Sequence, residues 1–203
     1  MVKTFITAIS LQGAGGLEKG IYQPDGFQLE NNRETSFPII PIIAENLDNP
    51  KDVKIIALRT ENNDAKDNYR AFVTELSQMG IAGEQVVPIA LAENQSKVVG
   101  LTAFMRVIDE IPDESLVYAD ITYGTKPMAA IILYAVSFIE KVNHSEVSGI
   151  YYGELPRANA KSDWERARLY DLTVFKDLSD VIEQLKALEV SDPRAALRKL
   201  IGM

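Results

Sequence analysis

The chain has 203 residues, 46% of them hydrophobic, and a formal net charge of −8 from 29 acidic and 21 basic side chains. It has no cysteine and a single histidine, His144. These figures exclude disulfides, thiolate catalysis and zinc–sulfur sites, argue against a histidine-based triad or a multi-histidine metal centre, and argue against broad duplex binding, which needs a basic face.

The size suits one core with a small appendage. No run approaches the ~18 apolar residues of a membrane span. Met1 to Ser10 lacks a secretion pattern, and the expected compartment is the cytoplasm. A small phosphorylated ligand is compatible with the acidic balance, because local groups and not net charge set the potential of a pocket. No metal and no cofactor is expected.

In chain order, Lys3 to Ser10 is rich in β-formers and predicts a buried first strand. Leu11 to Gly16 is its glycine-rich exit loop. Leu17 to Asn32 carries β-like pieces on either side of Pro24-Asp25-Gly26 and predicts a β-hairpin insertion. A short helix is expected within Ser36 to Leu47, and a second strand at Val53 to Leu58. Ala65 to Met79 reads as an amphipathic helix, with Tyr69, Phe72, Val73 and Leu76 at helical spacing and Gly80 past its end. A third strand (Gln85 to Leu91) follows, then a helix (Ser96 to Ile111) whose apolar positions Val98, Leu101, Phe104, Met105, Ile108 and Ile111 are expected to mark its core face. Leu116 to Ile121 is the fourth strand, and an apolar helix starts at Pro127. Val147 to Leu155 and Arg166 to Thr173 are the fifth and sixth strands, joined by a polar loop. Helices at Asp177 to Leu188 and Pro193 to Ile201 close the chain.

Strands alternating with helices predict an α/β fold with a doubly wound, mainly parallel six-stranded sheet, a β-hairpin insertion and short C-terminal helices. Residues 1–173 form the main domain, and 174–203 a helical extension. Right-handed crossovers favour the strand order third, second, first, fourth, fifth, sixth. The chain reverses between the first and fourth strands, and such folds bind ligands at the carboxyl edge there. The flanking loops are Ser10 to Gly16 and Thr122 to Lys126.

The second of these loops has the chemistry of an anion cradle. The first N–H groups of a helix lack internal partners, and the dipole adds positive charge there. Thr122, Gly124, Thr125 and Lys126 line that helix start, Gly124 permits close backbone approach, and Pro127 suits the first turn. This is not a Walker motif, since the upstream glycine and the Lys-Ser/Thr order are absent. Gly13-Ala14-Gly15-Gly16 is not a dinucleotide fingerprint either. The simpler account of the turn is an ordinary capped helix with Thr125 as cap and Lys126 in solvent. Tyr123 either stacks on a base or packs on the rim, and Asp120 suits a structural hydrogen bond. Arg59 and Thr60 leave the second strand one position from the reversal. Trp164 and Arg166 belong to the late polar loop, as a lid or as an exposed loop with one anchoring aromatic.

Met128 to Ile139 is apolar nearly all round, whereas a helix lying on one sheet face needs a polar side. A second copy of the chain across a two-fold axis is the simplest cover.

Asp120-Ile121-Thr122-Tyr123-Gly124-Thr125-Lys126-Pro127-Met128, between an apolar strand and an apolar helix, resembles the motif of CARF domains, the CRISPR-associated Rossmann-fold sensors. Tyr123 stands where many members have glycine. The resemblance spans about Lys3 to Thr173, with only this motif specific. It implies a Rossmann-like homodimer that binds cyclic tetra- or hexa-adenylate, the second messenger of type III CRISPR systems, across the two-fold axis. By position Thr125 and Lys126 would hold phosphate, and Gly124 would give backbone access. The loop Ser10, Leu11, Gln12 and Gly13, together with Arg59 and Thr60, would contact ribose or adenine. A ring nuclease that cleaves the messenger is one alternative, and a ligand-responsive transcriptional regulator another.

Overall fold

Five apolar runs lie side by side as parallel strands in a computed structural model, which describes residues 1–13, 17–154 and 167–202. The strands are β1 (Lys3–Ala8), β2 (Gln23–Asp25), β3 (Val53–Thr60), β4 (Val86–Leu91), β5 (Leu116–Asp120), β6 (Glu146–Glu154) and β7 (Arg168–Asp171). They form one seven-stranded sheet in the order β2-β7-β6-β5-β1-β3-β4. All pairings are parallel except β6 with β7. The helices are α1 (Ile39–Glu45), α2 (Asn63–Ser77), α3 (Lys97–Glu110), α4 (Lys126–Val142), α5 (Val174–Ala187) and α6 (Pro193–Leu200). This is a Rossmann-like α/β fold, and its six expected strands stand in the expected order.

The expected β-hairpin between residues 17 and 32 is not formed. Gln23–Asp25 instead adds a seventh strand, parallel to β7 at the sheet edge. Only an isolated bridge, Gly20 with Thr35, runs antiparallel there. Side-chain burial adds to the short ladder with β7 in holding the segment: Tyr22 is fully buried, and the Phe27 ring lies 5.5 Å from Tyr151.

Chain contacts divide the protein into Met1–Asp171 and Leu172–Met203. In the first unit α1 and α2 cover one sheet face. Phe5, Ile9, Ile40, Ile43, Ile55 and Phe72 pack together there. The other face carries α3 and α4, which pack on each other through the Phe104 and Phe138 rings, 6.1 Å apart and edge to face. The second unit is the helix pair α5 and α6, with Asp192 capping α6 through Ala195 N–H at 3.0 Å. None of the residues in these two helices is buried. Among the described residues, no helix is long and apolar enough to cross a membrane.

Candidate functional site

The reversal in strand order falls between β1 and β5, whose registers bring Thr7 opposite Asp120. The loops that leave these strands at their carboxyl ends meet there.

Asp120 is fully buried and accepts hydrogen bonds from Thr7 Oγ1 at 2.8 Å and from Thr122 N–H at 3.0 Å. The Thr122 hydroxyl also donates to it, and in turn accepts from Gly153 N–H at 2.7 Å. Burial pushes the Asp120 carboxyl up to about 6, against the opposing pull of these donors. The arrangement is a clamp that joins β1, β5, β6 and the turn after β5. Thr122 is committed to that clamp.

Gly124 is constrained from two sides. Its φ is +85°, and a Cβ there would lie 2.7 Å from the Ala8 Cβ and 2.8 Å from the Met128 Sδ. Glycine is therefore required by backbone and packing before any ligand is considered. Tyr123 turns inward: it is 9% exposed, and its hydroxyl donates to the Ser36 carbonyl at 2.7 Å. Burial raises its pKa, as it does for the adjacent Tyr22. The side chain belongs to the core beside α1 and is turned away from a stacking role in the cleft.

Thr125 takes the N-cap position of α4, but its side chain makes no capping bond. Its hydroxyl donates instead to Gln95 Oε1 at 2.8 Å. The Thr125 carbonyl accepts from Met128 and Ala129 N–H at 2.9 and 3.3 Å. The Lys126 N–H has no acceptor among the described residues and Pro127 has no N–H, which leaves the helix mouth available to an anion. Lys126 is exposed, with no salt bridge among the described residues.

The loop after β1 is pinned from α2. Asn68, 4% exposed, donates its amide to the Ser10 carbonyl at 2.9 Å and to the Gln12 carbonyl at 2.8 Å. Ser10 is buried, and its hydroxyl accepts from Gln12 N–H at 3.2 Å. Leu11 is half-buried, while Gln12 and Gly13 are exposed.

Arg59 and Thr60 part company at the end of β3. Arg59 lies on the α2 side, its guanidinium 5.6 Å from the centre of the Tyr69 ring, with one nitrogen donating to the Thr60 carbonyl at 3.2 Å. Its Nε is buried and has no partner among the described residues. Thr60 points to the opposite face. Ala8 pairs with Leu58, and Ala8 lies against the start of α4, so the alternating pleat sets Leu58 and Thr60 on the α3–α4 side.

The structure thus brings Thr60, Gly124, Thr125 and Lys126 to one edge and one face, with Ser10 at the same edge but held from α2 by Asn68. It sends Arg59 to the other face and Tyr123 into the core. Sequence reasoning missed Gln95, Ser96 and Lys97 at the start of α3, and Asn68. The available signal was Ser96, a capping residue directly before an apolar-periodic helix. Gln95 holds a left-handed backbone, φ +47°, a conformation uncommon for a residue with a side chain. Trp164 and Arg166 lie outside the described residues. No protein-family model matches the chain, and no curated protein matches it.

Proposed function

We propose that the carboxyl edge between β1 and β5 binds the phosphates of a cyclic oligoadenylate, held across a two-fold axis by two copies of the chain. The protein would then act as a CARF-like sensor in a type III CRISPR response. The observation that carries this reading is the mouth of α4. An open N–H, an exposed lysine with no salt bridge among the described residues and a glycine-enforced turn coincide at the reversal of the sheet. Phosphodiesters suit such a mouth because the dipole, the N–H and the ammonium all favour negative charge.

A two-fold partner is supported by the outer faces of α3 and α4. Val98, Leu101, Met105, Tyr134 and Val142 are each at least half exposed, and Phe138 is 39% exposed. A groove of about 400 Å³, lined by Leu101, Phe104, Ala130, Ile131 and Tyr134 among others, runs between the helices. Contiguous apolar surface of this kind marks an interaction site.

The sensor reading is preferred to the ring nuclease because Asp120, the carboxylate nearest the turn in sequence, is fully bonded within the clamp. Incubation with cyclic tetra- and hexa-adenylate followed by chromatography separates the two. The sensor returns intact rings, and linear products would mean a nuclease.

A further inference from the structure

A second helix begins at the same edge. The Thr125–Gln95 hydrogen bond ties the start of α3 to the cap of α4. Ser96 caps α3, its hydroxyl accepting from Val99 N–H at 3.4 Å. The N–H groups of Lys97 and Val98 have no acceptor within the helix. Both α3 and α4 start on a lysine, Lys97 and Lys126, and neither has an acidic residue in its first turn. By contrast α2 and α5 carry Asp64 and Asp177 there. A cation at a helix N-terminus opposes the dipole. Two adjoining mouths built this way concentrate positive potential in a chain of net charge −8.

An independent observation comes from the sheet. Thr60 is 3% exposed, and its hydroxyl has no hydrogen-bond partner among the described residues. It is the last residue of β3, paired with Leu91, the last residue of β4. The chain runs from Leu91 through residues 92–96 into α3, on the face to which the Thr60 side chain points. Buried hydroxyls are almost always paired, so one left open at the carboxyl end of β3, on the face that carries α3 and α4, points to a missing acceptor.

We propose that the α3 mouth is a second phosphate subsite, formed by Lys97, the open N–H groups of Lys97 and Val98, and the Thr60 hydroxyl. Each chain then holds two neighbouring phosphates of an oligonucleotide, one at each mouth. The oligonucleotide rests on the function proposed above, whereas the affinity for phosphate does not.

The probe is inorganic tripolyphosphate, titrated into the isotope-labelled full chain and followed by amide chemical shifts. Shifts are expected at Gln95, Lys97 and Val98 as well as at Thr125 and Lys126. Lys97→Ala is expected to weaken binding about tenfold, as for loss of a charged hydrogen-bond partner. Thr60→Val keeps the shape and removes the hydroxyl. It is expected to weaken binding about fivefold, with a Tm equal to or above that of the parent. A merely structural Thr60 would leave the affinity unchanged. Shifts confined to the α4 mouth, or unchanged affinity in both variants, would overturn the subsite and leave the proposed function standing. Shifts at both mouths with no binding of any cyclic oligoadenylate would sustain the subsite and sink that function. No shift at either mouth would sink both.

Discussion

Gly124 carries a backbone constraint and a packing constraint at once, so its replacement tests the turn without reference to a ligand. Gly124→Ala must adopt a left-handed backbone and displace Ala8 or Met128. A loss of about 2–4 kcal/mol in urea unfolding is expected from strain and overpacking together. A loss under about 0.5 kcal/mol, the ordinary surface value, would contradict the packing described here. Asp120 supplies a second prediction, in pH. Its folded pKa is raised, so its contribution to stability is fully present below the unfolded value and is lost as pH rises through about 6. Relative to Asp120→Asn, which does not titrate, the parent should gain about 1 kcal/mol between pH 7.5 and 5. A difference that stays flat across that window would show that burial does not shift the carboxyl. Side-chain direction explains what the sequence hid at this scale. Adjacent residues Arg59 and Thr60 look like one patch, yet the pleat sends them to opposite faces. Tyr123 looks like a rim aromatic, but the buried Ser36 carbonyl draws its hydroxyl inward.

Among the elements, α3 and α4 depart most from what a two-layer fold requires. Their inner faces cover the sheet, and their outer faces remain apolar at Val98, Leu101, Met105 and Tyr134. Leu101→Glu with Tyr134→Glu changes only exposed positions, so the Tm should stay within a few degrees of the parent. Sedimentation should report a monomer where the parent sediments as a dimer. A parent already monomeric at high concentration would remove the two-fold axis. Apolar content located these helices within a residue or two, but the spacing in α3 pointed to the wrong face: Val98, Leu101 and Met105, expected on its core side, are exposed, and Ala103 and Val107 are buried instead. The segment from 17 to 32 was misread for a reason of the same scale. Pro24 and Gly26 carry turn chemistry, but a turn does not pair strands unless the flanking residues meet in register. Tyr22 found a buried place beside Tyr123 instead, and Gln23–Asp25 paired with β7, a partner about 145 residues further along the chain.

At the scale of the whole molecule, strand order does most to place the site. A parallel sheet with one reversal leaves a crevice at the carboxyl ends of β1 and β5. That crevice was legible because alternation of strands and helices fixes the order with few alternatives. The α3 mouth was not legible, because it joins the crevice only through the crossing from β4 back to β5, a relation between distant elements. The central claim is that phosphates of a cyclic oligoadenylate sit on the α4 mouth of two paired chains. Isothermal titration of cyclic tetra- and hexa-adenylate into the full chain and into Lys126→Ala tests it most directly. The account predicts one ring per two chains for the parent and an affinity at least about tenfold lower for the variant, as loss of a charge-assisted contact requires. No heat with either ring, or equal affinity for parent and variant, would contradict it.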